Sequence, residues 1–137
     1  MPVDIRVHPK LSARVQRKRI QRIAQKTLRA ENAHASLTIY ITTDTEMRHL
    51  NRRFHATDAP TDVLAFPMDD GGDIAISYDT AKRQARTAGW RIADEIDLLA
   101  VHGILHLLGY DDVTPRKRTK MWKRQAEILG KKTGVSI

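Results

Sequence analysis

HGILHLLGYDD, from His102 to Asp112, sets two imidazoles four residues apart in an otherwise apolar run and closes on a glycine and two carboxylates. Such a run belongs to a core helix, where burying a polar ring without a partner costs on the order of 1 to 3 kcal/mol. Each histidine is therefore hydrogen-bonded, exposed in a cleft, or bound to something.

Working outward, the helix that carries these residues is expected from about Trp90 to Leu108, and another from Pro115 to about Leu129 with the proline in its first turn. Upstream, Tyr78 to Ala88 has helical character and stops at Gly89. GDIAIS reads as a strand paired through the MDDGG turn to TDVLAFP, a near-continuous apolar run expected to be covered on both faces. Asp44 is the expected cap of a helix that buries Met47, Leu50 and Phe54. SLTIYIT and VDIRV alternate as strands, and Leu11 to Ala30 carries an amphipathic spacing. The order predicts an α+β fold, a small four-stranded mixed sheet packed with helices, in one domain over residues 1–137. A chain of this size buries roughly 68% of its unfolded surface, enough for a core without staples.

The chain has no cysteine, so disulfides and thiolate sites are excluded and any metal must use His, Asp or Glu. MPVDIRVHPK lacks the apolar stretch of a signal peptide, and no segment approaches the ~20 apolar residues of a membrane span. A soluble cytoplasmic protein is expected. Lys and Arg number 24 against 16 Asp and Glu, a formal charge of +8. The excess gathers in three groups: Arg14 to Arg29; Arg48, Arg52 and Arg53; and Arg116, Lys117, Arg118, Lys120, Lys123 and Arg124. Any one group reads equally as a solvated helix face. Three together favour a polyanion, because each neutralised phosphate releases counterions.

His102 and His106 stand at i and i+4, one turn apart on one helix face, the spacing two ligands of one cation need. Gly109 suits the left-handed turn past the helix end, which lets the chain return with Asp112 as a third ligand and Asp111 nearby. Two imidazoles and a carboxylate leave a tetrahedral zinc one open position, as in catalytic sites. The spacing follows the frame of zinc peptidases of the metzincin type, except that Gly103 replaces the glutamate base, which argues against peptide hydrolysis and is expected to leave room beside the metal. Glu95, two turns earlier, either orients a ligand or acts on the water, or belongs to the exposed start of the helix. The bland alternative is a pair of satisfied core histidines.

VHGILHLLGYDD resembles the H-G-x-L-H-L-x-G-Y-D-H signature of the YbeY family of metal-dependent endoribonucleases. PTDVLAFP is similar to that family's P-T-D-V-L-S-F-P, and GGDIAIS to its L-G-D-I-x-I-S. The resemblance implies one zinc, or another divalent transition metal, held by His102, His106 and Asp112 in a zinc-hydrolase-like active-site helix. It also implies single-strand-specific cleavage in ribosomal RNA maturation, at the small-subunit 3′ end, and in ribosome quality control. Ribosomal RNA, a ribosomal subunit and ribosome-associated proteins would be the partners.

Three positions depart from the pattern. Asp112 stands at the usual third histidine, Ala65 at a serine, and His55 at an arginine. Arginine brings a permanent charge and a two-pronged fork for phosphate, whereas histidine is mostly uncharged at neutral pH. His55, Arg53 and Glu95 are accordingly the candidate catalytic side chains, and Arg52, Arg53, Arg116, Lys117, Arg118 and Lys120 the candidate RNA contacts. An anionic Asp112 makes the bound cation a weaker Lewis acid than three histidines would. The chief rival is a non-catalytic ribosome-assembly or RNA-binding factor that keeps a metal for stability. Another metal hydrolase and a two-histidine, one-carboxylate iron oxygenase stand further off.

Overall fold

In the computed structural model, which describes residues 2–130, four strands lie in the order β1-β2-β4-β3. The elements follow the chain as β1 (Val3–Val7), a short 3-10 turn (Pro9–Leu11), α1 (Arg17–Ala30), β2 (Ser36–Thr42), α2 (Asp44–His55), β3 (Val63–Met68) and β4 (Gly71–Ser77). Three helices complete it: α3 (Tyr78–Ala88), α4 (Ile92–Leu107) and α5 (Pro115–Leu129). β1 and β4 both run parallel to β2, whereas β3 pairs antiparallel with β4, Leu64 opposite Ala75 and Phe66 opposite Asp73. The sheet is therefore mixed, as the alternation of strand and helix implied.

The pleat sorts the apolar residues onto two faces. Leu37, Ile39, Ile41, Ile74 and Ile76 join Ile20, Ala24 and Leu28 of α1 and Ile96, Leu99, Ala100 and Ile104 of α4 in the main core. On α4's other side, Val101 and Leu105 meet Met121 and Ile128 of α5. A helix apolar all round is one packed on opposite sides, which explains the run around the histidines. The opposite sheet face receives α2 alone, through Met47 against Leu64 and Ala75.

Several expectations need correction. α1 begins at Arg17, because Pro9 starts a 3-10 turn and residues 12–16 follow it as turns and irregular chain. α4 begins at Ile92 rather than Trp90, with Asp94 reaching back to the Arg91 amide. The cap of α2 is Thr43, whose hydroxyl accepts from the Glu46 amide. Asp44 instead accepts from Ser77 Oγ at 2.6 Å and Thr80 Oγ1 at 2.7 Å. Phe54 is 54% exposed: it meets Phe66 of β3 edge-on and otherwise faces an open groove on the outer face of the sheet. β3 is an edge strand in which only Leu64 is buried; its other apolar residues line open cavities on either face, and Met68 is exposed. No helix of the described residues is long and apolar enough to cross a membrane.

Candidate metal centre and cleft

α4 presents His102 and His106 on one face, their ring centroids 4.6 Å apart and their planes at 76°. Past the helix end Gly109 takes φ +106°, in the region that favours glycine, and the Gly109 and Tyr110 amides donate to the carbonyls of His106 and Leu105. Tyr110 then anchors the returning chain. Its ring packs on the cluster between α4 and α5, and its hydroxyl donates to Glu31 at 3.1 Å. Asp111 is taken up locally, accepting from the Val113 amide and facing Lys117 at 3.5 Å. Asp112 is the carboxylate that turns to the imidazoles: His102, His106 and Asp112 offer ligand atoms all within 4.8 Å of one another.

The donor set suits a divalent transition cation, with two borderline nitrogens and one hard oxygen. His102 Nδ1 lies 2.6 Å from Gln125 Oε1, so Nδ1–H donates to the amide oxygen and Nε2 keeps its lone pair. Burial pushes the His102 imidazole below its ordinary value while the Gln125 bond opposes it, and the net effect favours the neutral ring a metal requires. Sequence reading missed Gln125. Its signal was available, since it falls between Met121 and Ile128 on the buried stripe of α5, where a polar residue needs a reason.

The histidines open into a cleft of about 380 Å³ whose walls include His55, Asp62, Val63, Ala65 and Gly103. His55, exposed at the end of α2, thus shares a cavity with the imidazoles from across β3. Asp62 is a second residue that sequence reading did not single out. It accepts from the Val63 amide at 2.7 Å and from Gln84 at 3.2 Å, which fixes its carboxylate at the wall. Gly103 has a cause beyond the one expected. A Cβ there would meet Ile74 Cγ2 at 2.9 Å, so the missing side chain also serves the approach of α4 to β4.

The remaining candidates are dispersed. Glu95 is buried away from the cleft lining, accepts from Trp90 Nε1 at 2.9 Å, and has its carboxyl raised by burial against that bond. Arg53 lies over the Phe54 ring at 5.3 Å, and Arg52 is exposed beside it on α2; neither lines the cleft. On α5, Arg116 is exposed, while Lys117, Arg118 and Lys120 surround the returning loop through Asp111, the Asp112 carbonyl and the Tyr110 ring. The basic groups also prove less free than their counts implied: Arg19 pairs with Asp94 and Asp97, Arg48 with Asp58, and Arg124 with Glu31.

A family model described as endoribonuclease YbeY matches residues 5–133. The endoribonuclease YbeY of Aquifex aeolicus is 46% identical over 115 residues, covering 77% of this chain and 77% of that protein. That of Roseiflexus castenholzii is 38% identical over 144 residues, covering 93% and 91%. The solution structure of TM1509 from Thermotoga maritima matches with a TM-score of 0.68 at 26% identity, over 93% of this chain and 86% of that one.

Proposed function

The chain belongs to the endoribonuclease YbeY family, and from that membership we propose that it is a zinc-dependent endoribonuclease that hydrolyses phosphodiester bonds of single-stranded RNA. Its substrate is ribosomal RNA, with maturation of the small-subunit 3′ end and ribosome quality control in the cytoplasm as its setting. The observation that carries the reading is the convergence of His102, His106 and Asp112 within 4.8 Å at the cleft.

Zinc bound by these three residues supplies Lewis-acid activation of water and of a phosphoryl oxygen. The chain's own groups do the rest. Gln125 holds His102 in the tautomer that leaves Nε2 free for the cation, and Val63 and Ala65 form an apolar wall of the open cleft in which the phosphate would sit. His55, across the cleft, is placed to hydrogen-bond that phosphate in the role an arginine would fill with greater charge. Arg52, Arg53 and the α5 cations Arg116, Lys117, Arg118 and Lys120 hold the flanking backbone electrostatically. Glu95, held by Trp90 and outside the cleft lining, would act only through other residues.

The test is cleavage of a single-stranded RNA by purified protein, with and without chelator and with zinc restored. Metal-dependent cleavage is expected, with binding that weakens steeply as salt rises, by a log-log slope of about −0.7 per phosphate contacted. RNA binding without cleavage by the zinc-loaded protein would give the site to the assembly-factor reading.

A further inference from the structure

The outer face of the sheet is left half bare, since α2 covers it only as far as Met47 and Leu50. There a groove of about 580 Å³ opens, lined by Tyr40, Leu50, Phe54, Phe66 and Met68. The chain has two phenylalanines, and both are in it, at 5.3 Å between centroids and 65° between planes. Phe54 is 54% and Met68 59% exposed, so two large apolar side chains face solvent side by side. We propose that Phe54 and Phe66 form a shelf that stacks a nucleobase of the RNA strand whose phosphate occupies the cleft.

Two observations choose this occupant over a protein partner. First, the groove and the cleft lie on opposite faces of β3, and β3 is the edge of the sheet, with no further strand to block a chain crossing from one to the other. His55 joins them, lining the cleft while its ring sits 6.0 Å from that of Phe66. Second, the charge beside Phe54 is positive: Arg53 lies over its ring, and neither Arg52 nor Arg53 forms an ion pair with a carboxylate among the described residues. A nucleotide joins a flat π face to an anionic phosphate and so matches rings flanked by guanidinium groups. Asp73, opposite Phe66 on β4 in the same groove, repels phosphate, so the phosphate belongs on the Arg52 and Arg53 side and the base over the rings. The shelf rests on the endoribonuclease reading and adds to it a base-stacking contact remote from the metal.

The experiment compares wild type with Phe54→Ala, Phe54→Leu and Phe54→Trp, each loaded with zinc, by fluorescence anisotropy on two oligoribonucleotides of one length. One is fully based and the other carries abasic residues. Phe54 is half exposed, so these changes do not empty the core, and circular dichroism checks the fold. Phe54→Ala and Phe54→Leu should weaken binding of the based strand by about 5- to 150-fold, the range base–aromatic stacking commands, and Phe54→Trp should retain it. Abasic binding should stay within about twofold of wild type. Equal weakening on both strands, or none on either, overturns the shelf. If wild type binds and cleaves RNA while Phe54 proves indifferent, the shelf alone falls; if wild type binds neither strand, the endoribonuclease reading falls with it. A dimer that Phe54→Arg dissolves, with RNA affinity unchanged, assigns the groove to a second copy and likewise overturns the proposal.

Discussion

Gln125→Leu removes the acceptor from His102 Nδ1 without emptying the space that the side chain fills. Gln125 is buried, and its Oε1 lies 2.6 Å from the ring nitrogen, so the variant strands a donor that water does not readily reach. An orphaned donor costs about 1 to 3 kcal/mol, which the ring escapes by moving its proton to Nε2, the atom the cation needs. Loss of such an outer partner typically lowers metal affinity by about 10- to 100-fold, equivalent to about 1.4 to 2.7 kcal/mol. The assay is zinc competition against a chromogenic chelator, with thermal melts of the metal-free protein alongside. Gln125→Glu, which keeps an acceptor, should hold zinc at least as well as Gln125→Ala. Wild-type zinc affinity in Gln125→Leu, with an unchanged melt, would refute the reasoning.

Asp112→Ala should lose zinc and cleavage together, whereas Asp112→His, which restores a neutral third ligand, should keep both; chelator competition and RNA cleavage decide, and an Ala variant that holds zinc would remove Asp112 from the site. Gly103→Ala gains about 1 kcal/mol of helix propensity but drives a methyl to 2.9 Å from Ile74 Cγ2. Overpacking of about 1 to 3 kcal/mol should leave it less stable in urea, and Ile74→Ala should cost less in that background than in wild type. Burial raises the Glu95 carboxyl, so the folded state favours its protonated form. Stability from this group is full below the unfolded value, about 4.3, and is lost as pH rises through the folded one. Glu95→Gln should therefore melt higher than wild type at pH 7, with the gain vanishing in acid.

What could be read from the sequence was what local geometry fixes. The i and i+4 histidines, Gly109 past the helix and the reach back to Asp112 all lie within eleven residues, where helix pitch and one turn determine position. The limits of β2, α3 and α5 followed from alternation, Gly89 and Pro115 for the same reason. Contacts made at a distance were not readable. Gln125 reaches His102 across 23 residues, and Arg19 meets Asp94 and Asp97 across 75 and 78, so a partner of the site was overlooked and one cation of the first basic group was already engaged. The packing of Gly103 on Ile74 was not readable either, because a sequence does not say what an absent Cβ would face. Phe54 continued a buried helical stripe in pattern, but on the sheet it meets Phe66 at the wall of an open groove and stays half exposed.

The helix that bears the imidazoles is packed on both sides, while the carboxylate that completes their set sits on an exposed loop beyond Gly109. The candidate centre therefore joins a fixed half to a hanging one. The backbone that carries His102 and His106 is set by the core of the molecule, whereas the place of Asp112 depends on a short loop that Tyr110 holds through Glu31.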